Sequence, residues 1–451
     1  YKWVDPKIKS KGKIKTGIKT CRFAQPKDGG KGVIPRILQA LLTARKNTRK
    51  KIKYKTVIDN DGNEYIGLLE KTDIEHIIKN VEGKKWVIKS EDVDTVKDTF
   101  NEFEKAVKDG FQLAYKVTAN SLYGQLGART SPIYFKDIAA STTATGRQLL
   151  HLARDKVHEK FDGAEVVYGD TDSIFVNFNP KDKDGKPIKG KDGLKASIDL
   201  GVQAEEYIKG ILKPPHNLEY EKTFWPFILF SKKRYIGNKY EFDINKYKQT
   251  SMGIVLKRRD NADIVKHVYG GVMDIIMNQK DIKKSIKFLK DSCLDLLNGK
   301  FPMDMLIITK SLRGFYKNPN MIAHKVLADR IGKRDPGNKP ASNDRVPYVY
   351  IETNEKKGQK ILQGDKIENP QYIKDNDLKP DYKFYITNQI MKPVGQIYAL
   401  IVEQLEGYNK PEGYFERKYK SLKSERGEIK AKNKITDLRH EEASKLLFNE
   451  V

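Results

Sequence analysis

The chain has 451 residues, enough for roughly two to four domains at ~100–200 residues each, and its 38% hydrophobic content supports a folded core. Its 86 Lys and Arg against 60 Asp and Glu leave a formal charge of +26, which favours a polyanionic partner, nucleic acid first. Two cysteines exclude a disulfide framework or a four-thiolate metal site, and no stretch approaches the ~20 apolar residues of a membrane span or forms an apolar leader, so no membrane is expected and the setting is cytosolic or nuclear.

Eighteen Lys and Arg crowd the first 55 residues, where Asp5 and Asp28 are the only acids; this density suits a phosphate-contacting arm or a solvated loop. Within it, GKIKTGIKT (12–20) approaches a P-loop, but Ile18 intrudes before the lysine and no apolar strand precedes it. A helix is predicted in GVIPRILQALLTARKNTRKK. Pro35 suits its first turn, Ile37, Leu38, Leu41 and Leu42 make an apolar stripe, and Arg45 and Arg49 share another flank at helical spacing. Residues 52–95 read as short strands inserted between two helices, with a hairpin at Asp61-Gly62. The second helix runs through DTFNEFEKAVKDGFQLAYKVTANSLYG, with Phe100, Phe103, Val107, Phe111 and Ala114 at helical intervals and Gly124 and Gly127 at its close.

A further helix in IAASTTATGRQLLHLARDKV leads to two apolar runs flanking YGDTDS, and then to the lysine-rich loop NPKDKDGKPIKGKDG. DNDG (59–62) and DKDG (182–185) lack the remaining ligands of a calcium loop and read as turns. Beyond about residue 262 the pattern is mostly helical, with Ile264, Val268, Val272 and Ile275 on one face.

Chemistry concentrates at YGDTDS. Asp170 and Asp172 are two apart, and alternate residues of an extended chain point to the same side, so both carboxylates could grip one ion. Lys116, Asn120 and Tyr123 lie four and three apart on one helical face, a cation, an amide and a ring that could meet a base. Phosphoryl transfer needs a divalent cation and positive side chains on the phosphates, which the aspartates and Arg45, Arg49 and Lys116 would supply. Singly, an Asp-x-Asp tip is usually a turn and such a helix face is usually solvated surface. Their order along the chain is the stronger signal.

KVTANSLYG and YGDTDS resemble, in that order and spacing, the fingers-helix motif and acidic hairpin of family B DNA polymerases of the α/δ-like class. The similarity extends to GVIPRILQALLTARK, IAASTTATGRQLL, EYEKTFWPFILFSKKRYIG, SMGIVLKRRD and ITKSLRGFYKNPNMIAHKVLADRI, and so covers nearly the whole chain. It implies an α+β right-hand fold: an antiparallel-sheet palm, helical-hairpin fingers with an inserted β segment, and a mainly helical thumb. The implied divisions are partial palm or linker at 1–29, fingers at 30–127 with the insertion near 52–95, palm at 128–261, and thumb at 262–451.

By the same resemblance, Asp170 and Asp172 hold two catalytic Mg2+ ions, with Mn2+ as a substitute, and Arg45, Arg49 and Lys116 hold the incoming dNTP. Asn120 and Tyr123 line the nascent base pair, and Lys232, Lys233, Arg234, Tyr235, Lys310 and Arg345 contact primer–template DNA. A sliding clamp or other processivity factor is a further implied partner. The family's first acidic motif, an aspartate shortly before SLYPS, is not found in this sequence, so the chain reads as a C-terminal polymerase fragment that extends a primer negligibly alone. The lysine-rich style and an ending without a cysteine cluster are more similar to polymerases of large DNA viruses, implying a host nucleus or cytoplasmic viral factory. A non-catalytic DNA-binding scaffold is the alternative, and Thr171 between the aspartates speaks against the Asp-Asp tip of reverse transcriptases.

Overall fold

The computed structural model describes residues 2–4, 13–14, 16–24, 27–353 and 361–448. Parts of the expected 1–29 segment, together with residues 354–360 and the last three residues of the expected thumb, lie outside the described residues. The chain divides into two compact units, 1–152 and 153–451.

In the first unit, β1 (Lys2–Trp3) and β2 (Lys13–Ile14) pair antiparallel. Helix α1 (Val33–Lys51) follows, with Pro35 in its first turn and Arg49, Lys50 and Lys51 in its last. Five strands come next: β3 (Lys55–Asp59), β4 (Glu64–Lys71), β5 (Glu75–Lys79), β6 (Lys85–Lys89) and β7 (Val93–Asp98). They form one antiparallel sheet in the order β6-β5-β4-β3-β7, burying Val57, Ile78 and Ile88 against Tyr65, Leu69 and Trp86. The expected hairpin is there. Asp59 Oδ1 accepts from the backbone N–H groups of Asp61 (3.1 Å) and Asn63 (2.8 Å), and Gly62 takes φ +82°, which a glycine adopts without steric cost.

Helix α2 (Glu102–Gly127) starts at a capping box in which the Asn101 side chain accepts from Glu104 N–H and the Glu104 carboxylate accepts from Asn101 N–H. Thr99 N–H donates to Tyr54 O (3.2 Å), so the end of α1 lies beside the start of α2 and the two helices pack antiparallel. The apolar stripe expected on α2 does not become core: Phe103 is 77% exposed and Phe111 56%. Periodicity places apolar residues on one helix face but does not say that anything covers it. Helix α3 (Lys136–Lys160) contains the boundary between the units.

The second unit opens with the hairpin β8 (Glu165–Asp170) and β9 (Ser173–Asn177), then α4 (Gly190–Ile211). A three-stranded antiparallel sheet follows, in the order β10 (Thr223–Ser231), β11 (Arg234–Tyr240), β12 (Lys248–Met252). Helices α5 (Asp263–Asp274) and α6 (Ile282–Leu297) lead into β13 (Ile308–Ser311), α7 (Ala323–Arg334), β14 (Arg345–Tyr350) and β15 (Ile367–Glu368). Helices α8 (Pro370–Asp375), α9 (Tyr382–Phe384), α10 (Met391–Tyr398), α11 (Tyr414–Arg426) and α12 (Glu428–Phe448) complete it.

The large core of this unit joins β11, α5, α6, the β13-β14-β15 sheet, α10 and α12, and the expected face of Ile264, Val268, Val272 and Ile275 is buried in it. The segment beyond 262 is mostly helical, as its periodicity predicts, but it also carries that antiparallel sheet, whose strands of two to six residues are too short to show a clear period. Helices and antiparallel sheets together make the chain α+β. Among the described residues, no helix is long and apolar enough to cross a membrane.

Candidate active site

Along β8, Tyr168 and Asp170 lie two apart on one face, paired with Phe175 and Ser173, while a register shift between Val166 and Tyr168 turns Val166 to the other face with Val176. Asp170 pairs with Ser173, leaving Thr171 and Asp172 as the whole turn. Asp172 N–H donates to Asp170 O at 2.7 Å across Thr171, whose φ is +59°. A β-branched residue at positive φ is a genuine strain, of a kind that clusters at functional sites. The chain therefore does not run extended from Asp170 to Asp172, and strand alternation, the sequence argument for pairing the two carboxylates, does not apply. Their relation is set by the turn.

A basic hairpin meets this acidic one. Ser231 pairs with Arg234 across the β10–β11 turn, whose Lys233 also has positive φ (+61°). Lys233 Nζ donates to both oxygens of Asp170 at 2.7 Å each, and Lys233 N–H donates to Tyr168 Oη at 2.8 Å. The Lys233 hydrogen bond holds the Asp170 carboxyl below the usual carboxylate range against an opposing push from burial, and Asp170 in turn raises the Lys233 ammonium. Asp172 is exposed, and among the described residues its carboxylate has no hydrogen-bond or ion-pair partner. Beneath the two tips, Tyr168, Phe175, Phe224, Phe227 and Tyr235 form one aromatic cluster with centroids 5.2–6.5 Å apart. Tyr235, expected at DNA, thus has its ring engaged in packing. Arg234 donates to Gln396 Oε1 (2.7 Å), while Lys232 is exposed.

In the first unit, Arg45 is half-buried and its Nε donates to Gln112 Oε1 on α2 at 3.3 Å; Gln112 Nε2 donates to Asp109 Oδ1 at 3.0 Å. Arg49 is exposed one turn along α1. Lys116 follows Gln112 by four residues, and Asn120 and Tyr123 continue that face, all three exposed. The expected triphosphate cations thus share the α1–α2 hairpin, tied across it by the Arg45–Gln112 bond. Two cavities adjoin Arg45 and Arg49: one of about 320 Å³ bounded also by Asp109 and Gln112, and one of about 310 Å³ reaching Leu68 on β4.

Arg345 spends its donors on the protein: Nη2 to Thr309 O (2.7 Å) and Arg259 O (3.1 Å), Nε to Thr309 Oγ1 (3.0 Å). Lys310, beside it on β13, is exposed. Sequence reasoning missed Tyr168 and Gln112 as supports, and the Lys233–Asp170 bridge. Strand parity with Asp170 could have found Tyr168; the other two span 67 and 63 residues and leave no local signal.

Among the described residues, no group of three or more His, Cys, Asp or Glu is arranged to hold a metal ion. The acidic tip offers one open carboxylate and one neutralised by an ammonium. Such a donor set fits an ion that takes most ligands from water and phosphate, as Mg2+ does, and not a cation needing a protein cage.

The sequence model of DNA polymerase family B matches residues 84–401. This chain belongs to the family B DNA polymerases. The family B chain is 56% identical to the DNA polymerase of Pyramimonas orientalis virus over 440 residues, which cover 97% of it and 36% of that protein. It is 48% identical to the DNA polymerase of Acanthamoeba polyphaga mimivirus over 241 residues, 53% of the chain and 14% of that protein. To the DNA polymerase delta catalytic subunit of Candida albicans it is 32% identical over 379 residues, 82% of the chain and 31% of the relative. The polymerase chain thus spans about a third of the relatives it matches along most of its length.

Proposed function

We propose that this chain is the fingers, palm and thumb part of a replicative DNA-templated DNA polymerase, of the kind carried by large DNA viruses and working in a host nucleus or cytoplasmic factory. Residues 30–127 would be the fingers, with the β3–β7 sheet as their insertion, 128–261 the palm with the acidic hairpin, and 262–451 the thumb. One observation carries the reading: in a family B chain, a strained acidic turn and a strained basic turn meet through Asp170 and Lys233.

The substrates would be primer–template DNA and a dNTP, with a processivity factor as a further partner. Arg45, Arg49 and Lys116 neutralise the triphosphate, while Asn120 and Tyr123 test the shape of the new base pair. The primer 3′ hydroxyl attacks the α-phosphate and pyrophosphate leaves. Asp170 and Asp172 would hold two Mg2+ ions, or Mn2+, which when bound stabilise charge on the attacking and leaving oxygens. Asp172 is free to do so at once; Asp170 must first exchange its bond to Lys233. That exchange would free the Lys233 ammonium for a primer phosphate, beside Lys232 and Arg234. Lys310 and Arg345 would meet duplex product, Lys310 through its own charge and Arg345 mainly by fixing Thr309 and Arg259.

Primer extension by the full-length protein tests this. Asp172→Asn should reduce extension by at least ~1,000-fold, the size of loss that follows removal of a group acting only in the transition state. Wild-type rates in that variant would refute the metal role. Arg49→Ala and Lys116→Ala should weaken dNTP use more than duplex binding. The scaffold reading is favoured by one feature, the occupation of Asp170 by Lys233; a full-length protein that binds primer–template tightly yet never extends it would establish that reading instead.

A further inference from the structure

The 310 Å³ cavity between α1 and the inserted sheet is lined by Leu42, Arg45, Lys46, Arg49, Lys50, Lys53 and Leu68. Five cations converge there, and no carboxylate lines it. Among the described residues, none of the five makes an ion pair. Acids are not scarce nearby: on the adjoining sheet and α2, Lys55 and Lys105 pair with Asp98, Lys79 with Glu70, Lys89 with Glu91 and Lys97 with Glu64. The fold therefore spends its carboxylates on the sheet and leaves the α1 face unpaired. The helix dipole rewards cations only in the last turn, and Arg45 and Lys46 lie further back. Like charges on one helix face repel, so an anionic occupant is the natural complement.

We propose that this cavity is a second anion site that takes inorganic pyrophosphate as it parts from the nucleotide. The inference rests on reading Arg45 and Arg49 as triphosphate cations. Those two arginines and Lys53 line both cavities, so an anion released beside them on the Gln112 side meets Lys46 and Lys50 on the sheet side without leaving positive charge. The size suits a small polyanion. At 1.5 Å rise per residue, Arg45 to Lys50 on α1 spans about 8 Å, the scale of a hydrated diphosphate and less than an extended strand would need. The volume equals about ten waters at ~30 Å³ each, and Leu42 and Leu68 bound it.

Calorimetric titration of the chain with inorganic pyrophosphate at low salt, without added metal, tests the site. The double variant Lys46→Gln, Lys50→Gln should lose at least ten-fold in pyrophosphate affinity. A control with Lys181→Gln and Lys183→Gln, in the exposed loop, should change less than two-fold. The α1 variant's loss for dTTP should be clearly smaller than its loss for pyrophosphate. Equal losses for the two ligands would assign the lysines to the nucleotide's tail; a larger loss for a 12-nucleotide single strand would make the face a strand site; equal losses in variant and control would mean only general charge. Each of these overturns the proposal. Specific pyrophosphate binding with no extension by the full-length protein would sink the polymerase reading and keep the anion site, whereas extension without such binding would do the reverse.

Discussion

Tyr385→Phe removes one oxygen from the core of the second unit. The ladder between β13 and β14 pairs Ile308 with Tyr348, so its next step would set Leu306 opposite Tyr350, but the chain has already turned away at Leu306. The Tyr385 hydroxyl fills the gap. It donates to Leu306 O at 2.6 Å and accepts from Tyr350 N–H at 3.2 Å, with the side chain fully buried. Burial pushes its phenol far above the ordinary range, so it remains a donor at every working pH. Phenylalanine leaves a buried carbonyl and a buried N–H without partners, at ~1–3 kcal/mol each, or about 2–6 kcal/mol together. In a unit of this size that corresponds to a fall in Tm of about 4–12 °C, at roughly 2 °C per kcal/mol. Thermal unfolding of the chain, with hydrogen exchange read at the β13 and β14 amides, is the assay. A loss under about 0.5 kcal/mol with unchanged exchange would show that the hydroxyl does not extend the ladder. If Lys310 and Arg345 on this sheet meet duplex product as proposed, weaker duplex binding should accompany any loosening.

Glu368→Ala should cost about 1–3 kcal/mol in urea unfolding: Glu368 is nearly fully buried and accepts from Arg330 (3.1 Å) and Arg334 (2.9 Å), and the figure is reduced from that of a fully buried pair because both arginines are partly exposed. An unchanged urea midpoint would remove this bridge as the tie between α7 and β15. Lys233→Met should raise the Asp170 carboxyl pKa toward its ordinary value, since Lys233 is the main cause of its depression; an NMR titration in which Asp170 does not move would break the latch between the two turns. Burial first, then Lys310 and Arg313, lowers the His324 pKa. The unfolded chain therefore binds this proton at higher pH than the folded one, so stability is complete above about pH 6.5 and declines as pH falls below it. The decline, followed by urea unfolding between pH 7.5 and 5, should be shallower in His324→Gln, and an identical slope would acquit that residue.

Local chemistry made much of this protein legible in its sequence. Asp61-Gly62 needs only a side-chain acceptor and a glycine to turn a hairpin, so NDGN announces it. The 3.6-residue period of Ile264, Val268, Val272 and Ile275 marks a core face because burying it is what makes that helix worthwhile. YGDTDS and KVTANSLYG identify the family because their residue types and order are set by chemistry within a few residues. Tertiary structure decided what distance along the chain conceals. Phe103 and Phe111 keep a helical period yet stay exposed, since periodicity names a face and not its cover. The positive φ of Thr171, not strand parity, sets how Asp172 follows Asp170. Lys233 finds Asp170, and five cations gather without an acid, only because folding closes separations that no local pattern records. Charge and hydrophobicity are properties of residues, whereas partnership is a property of the packed chain.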